Sequence, residues 1–148
     1  MVKQEHSMSC AAACLRQLAK DNGMKFEEEI IRNFARTTEE TGTYPDGMID
    51  AMKEIFKDFN IDFGMKFNPK MTDIDMAKKL SEEGSWVAFV LPKNSSTQHA
   101  IIVDKIIDNK IYVKDPWPSI DSKKGTIGIM DLDEFEYIWK YAQIGASE

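Results

Sequence analysis

The chain contains two cysteines and two histidines, a short inventory for nucleophilic chemistry. Cys10 follows Ser9 at the start of the Ala-rich run Ala11-Ala12-Ala13-Cys14-Leu15. A thiol at a helix N-terminus meets unpaired N–H groups and the positive end of the helix dipole, which favour the thiolate a nucleophile must become. Such a nucleophile also needs an imidazole to take its proton and a carboxylate or amide to fix the imidazole tautomer, and both can come from distant parts of a chain. His6 stands only four residues before Cys10 in an irregular lead-in, whereas His99 opens an apolar strand after a polar loop. Asp115 ends the following strand, and antiparallel pairing about the Asp108-Asn109 turn brings it within a register step of His99. A side-chain amide together with the nucleophile's own N–H would serve an oxyanion, and Gln4 is the candidate amide.

Each residue type also has an ordinary structural use. A cysteine in an Ala-rich helix is more often a small buried core residue, and Cys14, one turn beyond Cys10, is read that way. A His before an apolar strand can be a surface residue, and an Asp before Pro is a common turn starter. Zinc is the rival use of Cys10, Cys14, His6 and His99, but a C-x3-C spacing without a second Cys or His pair is a poor ligand pattern. A disulfide within the helix would strain its geometry.

Several elements must position these residues. Ser9–Asn22 is expected as a helix with Ser9 at its N-cap and Asn22-Gly23 as its stop. Phe26–Ala35 carries apolar residues at helical spacing and predicts a second helix. Arg36–Gly47, ending in Pro45-Asp46-Gly47, is expected as a loop before a third helix over Met48–Phe59. A short strand at Asp62–Phe67 and a helix at Asp73–Glu83 follow. From Ser85 the texture turns to strands: Trp86–Leu91, His99–Ile106, Lys110–Asp115 and Thr126–Met130, with a closing helix from Leu132 to Tyr141. Helices first and an antiparallel sheet second predict an α+β fold. No repeat or internal boundary divides residues 1–148, which are expected to form a single domain.

A formal charge of −6, from 19 basic and 25 acidic residues, disfavours nucleic acid or an anionic membrane surface as partner. No apolar run is long enough for a membrane span, and the start Met1-Val2-Lys3-Gln4-Glu5 has no signal-peptide core. Reduced thiols in a cytoplasmic setting are the expectation.

Three blocks occur together in order: Gln4-x5-Cys10-Ala11-Ala12-Ala13-Cys14-Leu15, then Gln98-His99-Ala100-Ile101-Ile102-Val103-Asp104, then Tyr112-Val113-Lys114-Asp115-Pro116. This pattern resembles the bacteriocin-processing peptidase family of papain-like cysteine peptidases. The likeness extends through Gly42-Thr43, Gly47-Met48 and Leu132–Trp139. It departs at Ser9, where that family commonly has Asp, and at Ala11, where it commonly has Gly. The resemblance implies a papain-like fold with N-terminal helices packed on a C-terminal antiparallel sheet. It also implies Cys10 as nucleophile, His99 as base, Asp115 as orienting residue and Gln4 as oxyanion donor, with no metal or organic cofactor. The implied substrate is a peptide or protein cut after a small pair such as Gly-Gly in a leader peptide, with an ABC transporter as the associated partner. Two other readings stay open: a papain-fold effector or toxin domain that cleaves, deamidates or transamidates a target and is met by an immunity protein, and a silent leader-peptide-binding domain. Tyr44, Met48, Met52 and Phe67 are candidates for a peptide groove, although Met and aromatic residues at helical spacing more often belong to the core.

Overall fold

The Ala-rich run after Ser9 suits a helix that must lie close against a sheet, because small side chains let the backbones approach. In the computed structural model, which describes residues 1–57, 74–92, 98–117 and 125–143, this run is α1 (Cys10–Asp21), with Ala11–Leu15, Leu18 and Ala19 buried. Each buried leucine contributes about 1.5–3 kcal/mol. Ser9 occupies the N-cap position and its carbonyl accepts the Ala13 N–H at 2.9 Å, but its side chain does not cap a helix N–H. Its hydroxyl donates to the His6 carbonyl and accepts the His6 N–H, at 2.9 and 3.0 Å, so it ties the lead-in to itself.

Helix α2 (Glu28–Ala35) is shorter than the sequence pattern suggests and is closed by Arg36 in the left-handed conformation, φ 55°. Helix α3 (Pro45–Ile55) starts three residues before the expected Met48. Pro45 stands at its first turn, where a missing N–H costs nothing and the fixed φ suits the helix. Gly47 is therefore helical. A Cβ there would lie 2.1 Å from the Ala35 carbonyl oxygen, so this glycine permits α3 to cross the end of α2. Met48 and Met52 face the core, with 0% and 1% exposure. Helix α4 (Ile74–Glu82) follows; the strand expected at Asp62–Phe67 lies outside the described residues, as does the end of the expected third helix.

Strands β1 (Trp86–Val90), β2 (His99–Ile107), β3 (Lys110–Asp115) and β4 (Thr126–Asp131) lead to α5 (Leu132–Ile138) and β5 (Trp139–Gln143). All pairs are antiparallel, in the order β4-β3-β2-β1-β5. The closing helix expected to reach Tyr141 stops at Ile138, and Trp139–Gln143 pairs with β1 instead. Trp139 packs against Trp86 and Phe135, with ring centroids 5.3 Å away in each case. That anchor and the open edge of β1 outweigh continuation of the helix, since an unpaired strand edge is costly where it would be covered.

Two apolar layers flank the sheet. One face packs Val87, Phe89, Ala100 and Ile102 against α1, α2 and α3. The other packs Trp86, Ala88, Val90, Ile101, Val103, Ile111 and Val113 with residues of α4 and α5. The α+β architecture expected from the order of elements is the one observed. In the β2–β3 hairpin, Asp108 takes a positive φ of 55°, and the register shifts between Val103 and Lys105. Lys114 consequently faces Ile102, which leaves Asp115 diagonal to His99 rather than directly across, still on the same face.

Candidate active site

Cys10 is the first residue of α1 and His99 the first residue of β2, which pairs with Val90. Helix α1 crosses the start of β2 so closely that the Ala100 N–H donates to Cys10 Sγ at 3.3 Å. One turn further on, the buried Cys14 thiol donates to the Ala100 carbonyl at 3.4 Å. The two cysteines thus bracket one residue of β2. Burial, reinforced by the nearby Cys10 and Asp115, pushes the Cys14 thiol well above its ordinary pKa, which keeps it a neutral core group.

His99 is 2% exposed. Its Nε2 lies 2.6 Å from Asp115 Oδ1. A carboxylate can only accept, so Nε2 carries a proton, and in the neutral ring the free lone pair is on Nδ1. Nδ1 is buried and makes no hydrogen bond among the described residues. Burial, the largest single influence, disfavours the imidazolium, but the hydrogen bond to Asp115, interaction with Cys10 and both charges outweigh it and raise the His99 pKa to about 9. Cys10 therefore acts on the ring at a geometry looser than a completed hydrogen bond, as is common before substrate binds.

Asp115 Oδ1 also accepts the Trp117 N–H at 2.8 Å. The turn after Asp115 folds the Trp117 indole over the imidazole, with centroids 3.9 Å apart and planes inclined by 21°. Trp117 is 42% exposed, so it separates His99 from solvent while presenting its own edge to the outside. Sequence reasoning passed over Trp117; the signal was its place two residues after Asp115, a short turn that leaves it little room except above the base.

A cavity of about 410 Å³ opens beside these groups, lined by Met8, Cys10, Gly42, Tyr44, His99 and Trp117 among others. Its far wall is the turn at 38–43. Thr38 and Gly42 pair with each other, and the Thr37–Thr43 and Thr38–Thr41 hydroxyls each meet at 2.6 Å. Of the residues considered for a groove, Tyr44 reaches this cavity and is 61% exposed, Met48 and Met52 belong to the core, and Phe67 lies outside the described residues.

Gln4 is placed differently. Its backbone N–H donates to the Pro116 carbonyl at 3.0 Å, which ties the lead-in to the turn carrying Asp115. Its side-chain amide donates to the His6 and Ser7 carbonyls at 2.8 and 3.0 Å, and Oε1 is buried without a partner. The structure therefore brings Cys10, His99 and Asp115 together and ties the Gln4 amide to the lead-in carbonyls of His6 and Ser7, of which Ser7 lines the cavity while Gln4 itself does not. His6 is exposed. Among the described residues, no cluster of three His, Cys, Asp or Glu side chains is arranged to hold a metal ion, so the zinc set Cys10, Cys14, His6 and His99 is not assembled.

A thiol on a helix end, an imidazole on the facing sheet and a carboxylate behind it follow the plan of papain-like cysteine peptidases, the fold shared by the solved structures this chain is similar to. The chain belongs to the Peptidase C39 family, whose model matches residues 1–144, and this makes it a member of a family of cysteine peptidases. It is similar to the peptidase domain of Streptococcus ComA, a bi-functional ABC transporter involved in a quorum-sensing pathway. That match has a TM-score of 0.75 and 20% identity, and covers 96% of this chain and 93% of the other. The peptidase domain of Streptococcus mutans ComA matches with a TM-score of 0.65 and 18% identity, over 97% and 94% of the two chains. A double-glycine-motif protease from an AMS/PCAT transporter, solved with its leader peptide, matches with a TM-score of 0.63 and 14% identity, over 97% and 86%. No curated protein matches the chain.

Proposed function

We propose that this chain is a leader peptidase that cuts a peptide after a Gly-Gly pair by acyl transfer. The observation that carries the reading is the 2.6 Å contact between His99 Nε2 and Asp115, beside a cavity that His99 and Cys10 both line. Cys10 sulfur attacks the scissile carbonyl and forms the S–C bond. The Cys10 N–H and the Gln4 amide, turned from the His6 and Ser7 carbonyls when substrate binds, hold the oxyanion, and His99 gives its proton to the departing amine as the C–N bond breaks. Water then attacks the thioester with His99 as base, releasing the leader and restoring the thiol. Asp115 keeps the imidazole in the tautomer that leaves Nδ1 free for these transfers.

The Gly-Gly preference rests on the family and on the leader-peptide complex of the AMS/PCAT protease. A cleft bounded by the 38–43 turn on one side and the indole of Trp117 on the other suits residues without bulk. A transporter that exports the released cargo is the natural partner, with the peptidase acting on the cytoplasmic side of the membrane. Among the described residues, no helix is long and apolar enough to cross a membrane.

Mass spectrometry of synthetic peptides bearing a Gly-Gly junction, incubated with wild-type protein and with Cys10→Ala, tests the proposal. The expected outcome is a single cut after the second glycine that disappears in the variant. Intact peptides after exhaustive incubation, with Cys10 labelled by iodoacetamide no faster than a free thiol, would reduce the chain to a peptide-binding domain.

A further inference from the structure

A second charged cluster surrounds Glu5 in the lead-in, and none of its residues lines the cavity. Glu28, on the first turn of α2, is fully buried, with 0% exposure. Both its oxygens accept the backbone N–H of Glu5, at 3.1 and 3.3 Å. Arg32, one turn along α2, places Nε 3.2 Å from Glu28 Oε2 and its NH2 nitrogen 3.2 Å from Glu5 Oε1. Arg16 of α1 approaches the other Glu5 oxygen at 3.5 Å.

A buried charge is retained against a heavy desolvation cost, so its partners indicate what it holds. Burial raises the pKa of Glu28, while the Glu5 N–H, the Ser9 hydroxyl and Arg32 pull the other way and the Glu5 charge adds to the rise. What Glu28 holds is the single backbone N–H between Gln4 and the tight turn at 6–9. Gln4 is fixed on its other side by the Pro116 carbonyl. The backbone at 4–5 is thus clamped from two directions, while the Gln4 side chain makes only local bonds to His6 and Ser7 and leaves Oε1 unpartnered.

We infer that Glu28 is a positioning residue for the peptidase reaction: it anchors the backbone from which the Gln4 amide turns toward the oxyanion when substrate arrives. This inference rests on the peptidase reading above. It separates two chemistries at the same sulfur. Alkylation by iodoacetamide needs the thiolate but develops no oxyanion, whereas acyl transfer needs both. Loss of Glu28 should therefore slow peptide cleavage and spare alkylation.

The experiment compares wild type, Glu28→Gln, Gln4→Ala and the double variant in cleavage of a Gly-Gly peptide and in iodoacetamide labelling of Cys10 at neutral pH. A displaced positioning element costs on the order of 10- to 100-fold in turnover. Glu28→Gln should therefore lower kcat by about that factor with little change in KM, label Cys10 at nearly the wild-type rate, and add little further loss in the Gln4→Ala background. Equal losses in cleavage and labelling would mean that Glu28 only supports the fold, and would overturn the inference. So would unchanged cleavage or full additivity with Gln4→Ala. If Glu28→Gln does not fold, Glu28→Asp, which keeps the charge but withdraws it by one methylene from the Glu5 N–H, gives the same readouts. Failure of the wild type to cleave would count against the peptidase reading itself, which distinguishes the two.

Discussion

His99 and Gln4 are both nearly buried, with 2% and 6% exposure, but they are secured in different ways. His99 is held by groups far away in the chain: its strand pairs with β1, its Nε2 meets Asp115 at the end of β3, and Trp117 covers its ring. The Gln4 amide is held by carbonyls two and three residues along the same turn. Contacts of the first kind form only when the whole sheet forms, and they leave the imidazole little freedom. Local contacts of the second kind can be exchanged for others at the cost of one or two hydrogen bonds, about 0.5–1.5 kcal/mol each. The sheet side of the site is thus preorganised, and the lead-in side is adjustable.

The comparison breaks most sharply at Asp115. Asp115→Asn offers an N–H where His99 needs an acceptor, so the wrong tautomer should lower kcat by about 10³- to 10⁴-fold. Gln4→Ala removes the proposed oxyanion donor and should cost about 10²- to 10³-fold. Steady-state cleavage of one peptide by both variants measures the difference; a larger loss from Gln4→Ala would place the weight of the site on the lead-in instead.

The pH dependence of folding sharpens the sheet half further. The His99 pKa rises from 6.5 to about 9 on folding, so the folded state binds the proton more tightly. The resulting stabilisation is complete below pH 6.5, amounts to roughly 3 kcal/mol at most, and is lost as pH rises toward 9. Urea unfolding of wild type and His99→Ala over this range should converge at the alkaline end. Parallel curves would show that the imidazole gains no proton affinity on folding.

The smallest expected effect is at Trp117. Trp117→Ala opens the His99–Asp115 pair to water, which screens both the carboxylate and the thiol. A fall of about tenfold in kcat/KM, with the His99 titration observed by NMR moving down toward 6.5, follows from that exposure. Trp117→Phe keeps an apolar cover and should restore most of the loss. Equal rates in all three proteins would reduce the stacked ring to a surface residue.

Much of this arrangement is legible before any coordinates, for local reasons. Ser9 followed by an Ala-rich run starts a helix wherever it is placed, and the apolar run that begins at His99 after a polar stretch of sequence puts His99 at a strand start. Asp108-Asn109 sets the hairpin that carries Asp115 back toward it. The misreadings come from tertiary contacts. Pro45-Asp46-Gly47 has turn composition, yet it becomes the first turn of α3 because Gly47 can lie against the Ala35 carbonyl. Trp139–Gln143 continues a helical pattern, yet it pairs with β1 because that edge is open and Trp139 has aromatic partners. Glu28 reads as one of three consecutive glutamates, Glu27–Glu29; nothing local marks the one that points inward. Gln4 shows the limit from the other side, since motif spacing identifies the residue but not where its amide points.

The stitching of the first residues to the far end of the chain bears on how the protein is born. Gln4 bonds to the Pro116 carbonyl, and the Gly125 N–H donates to the Met1 carbonyl. A Cβ at Gly125 would come within 2.5 Å of the Asp115 carbonyl oxygen and 2.7 Å of that of Val2, so this glycine lets the lead-in and the end of β3 lie side by side. The thiol emerges from the ribosome before its imidazole and carboxylate, which follow about 90 and 105 residues later. Contacts of such long range close late in folding. A nascent chain therefore carries its reactive sulfur through the synthesis of about 105 further residues without its imidazole and carboxylate, and becomes competent to cut only after Asp115 has emerged.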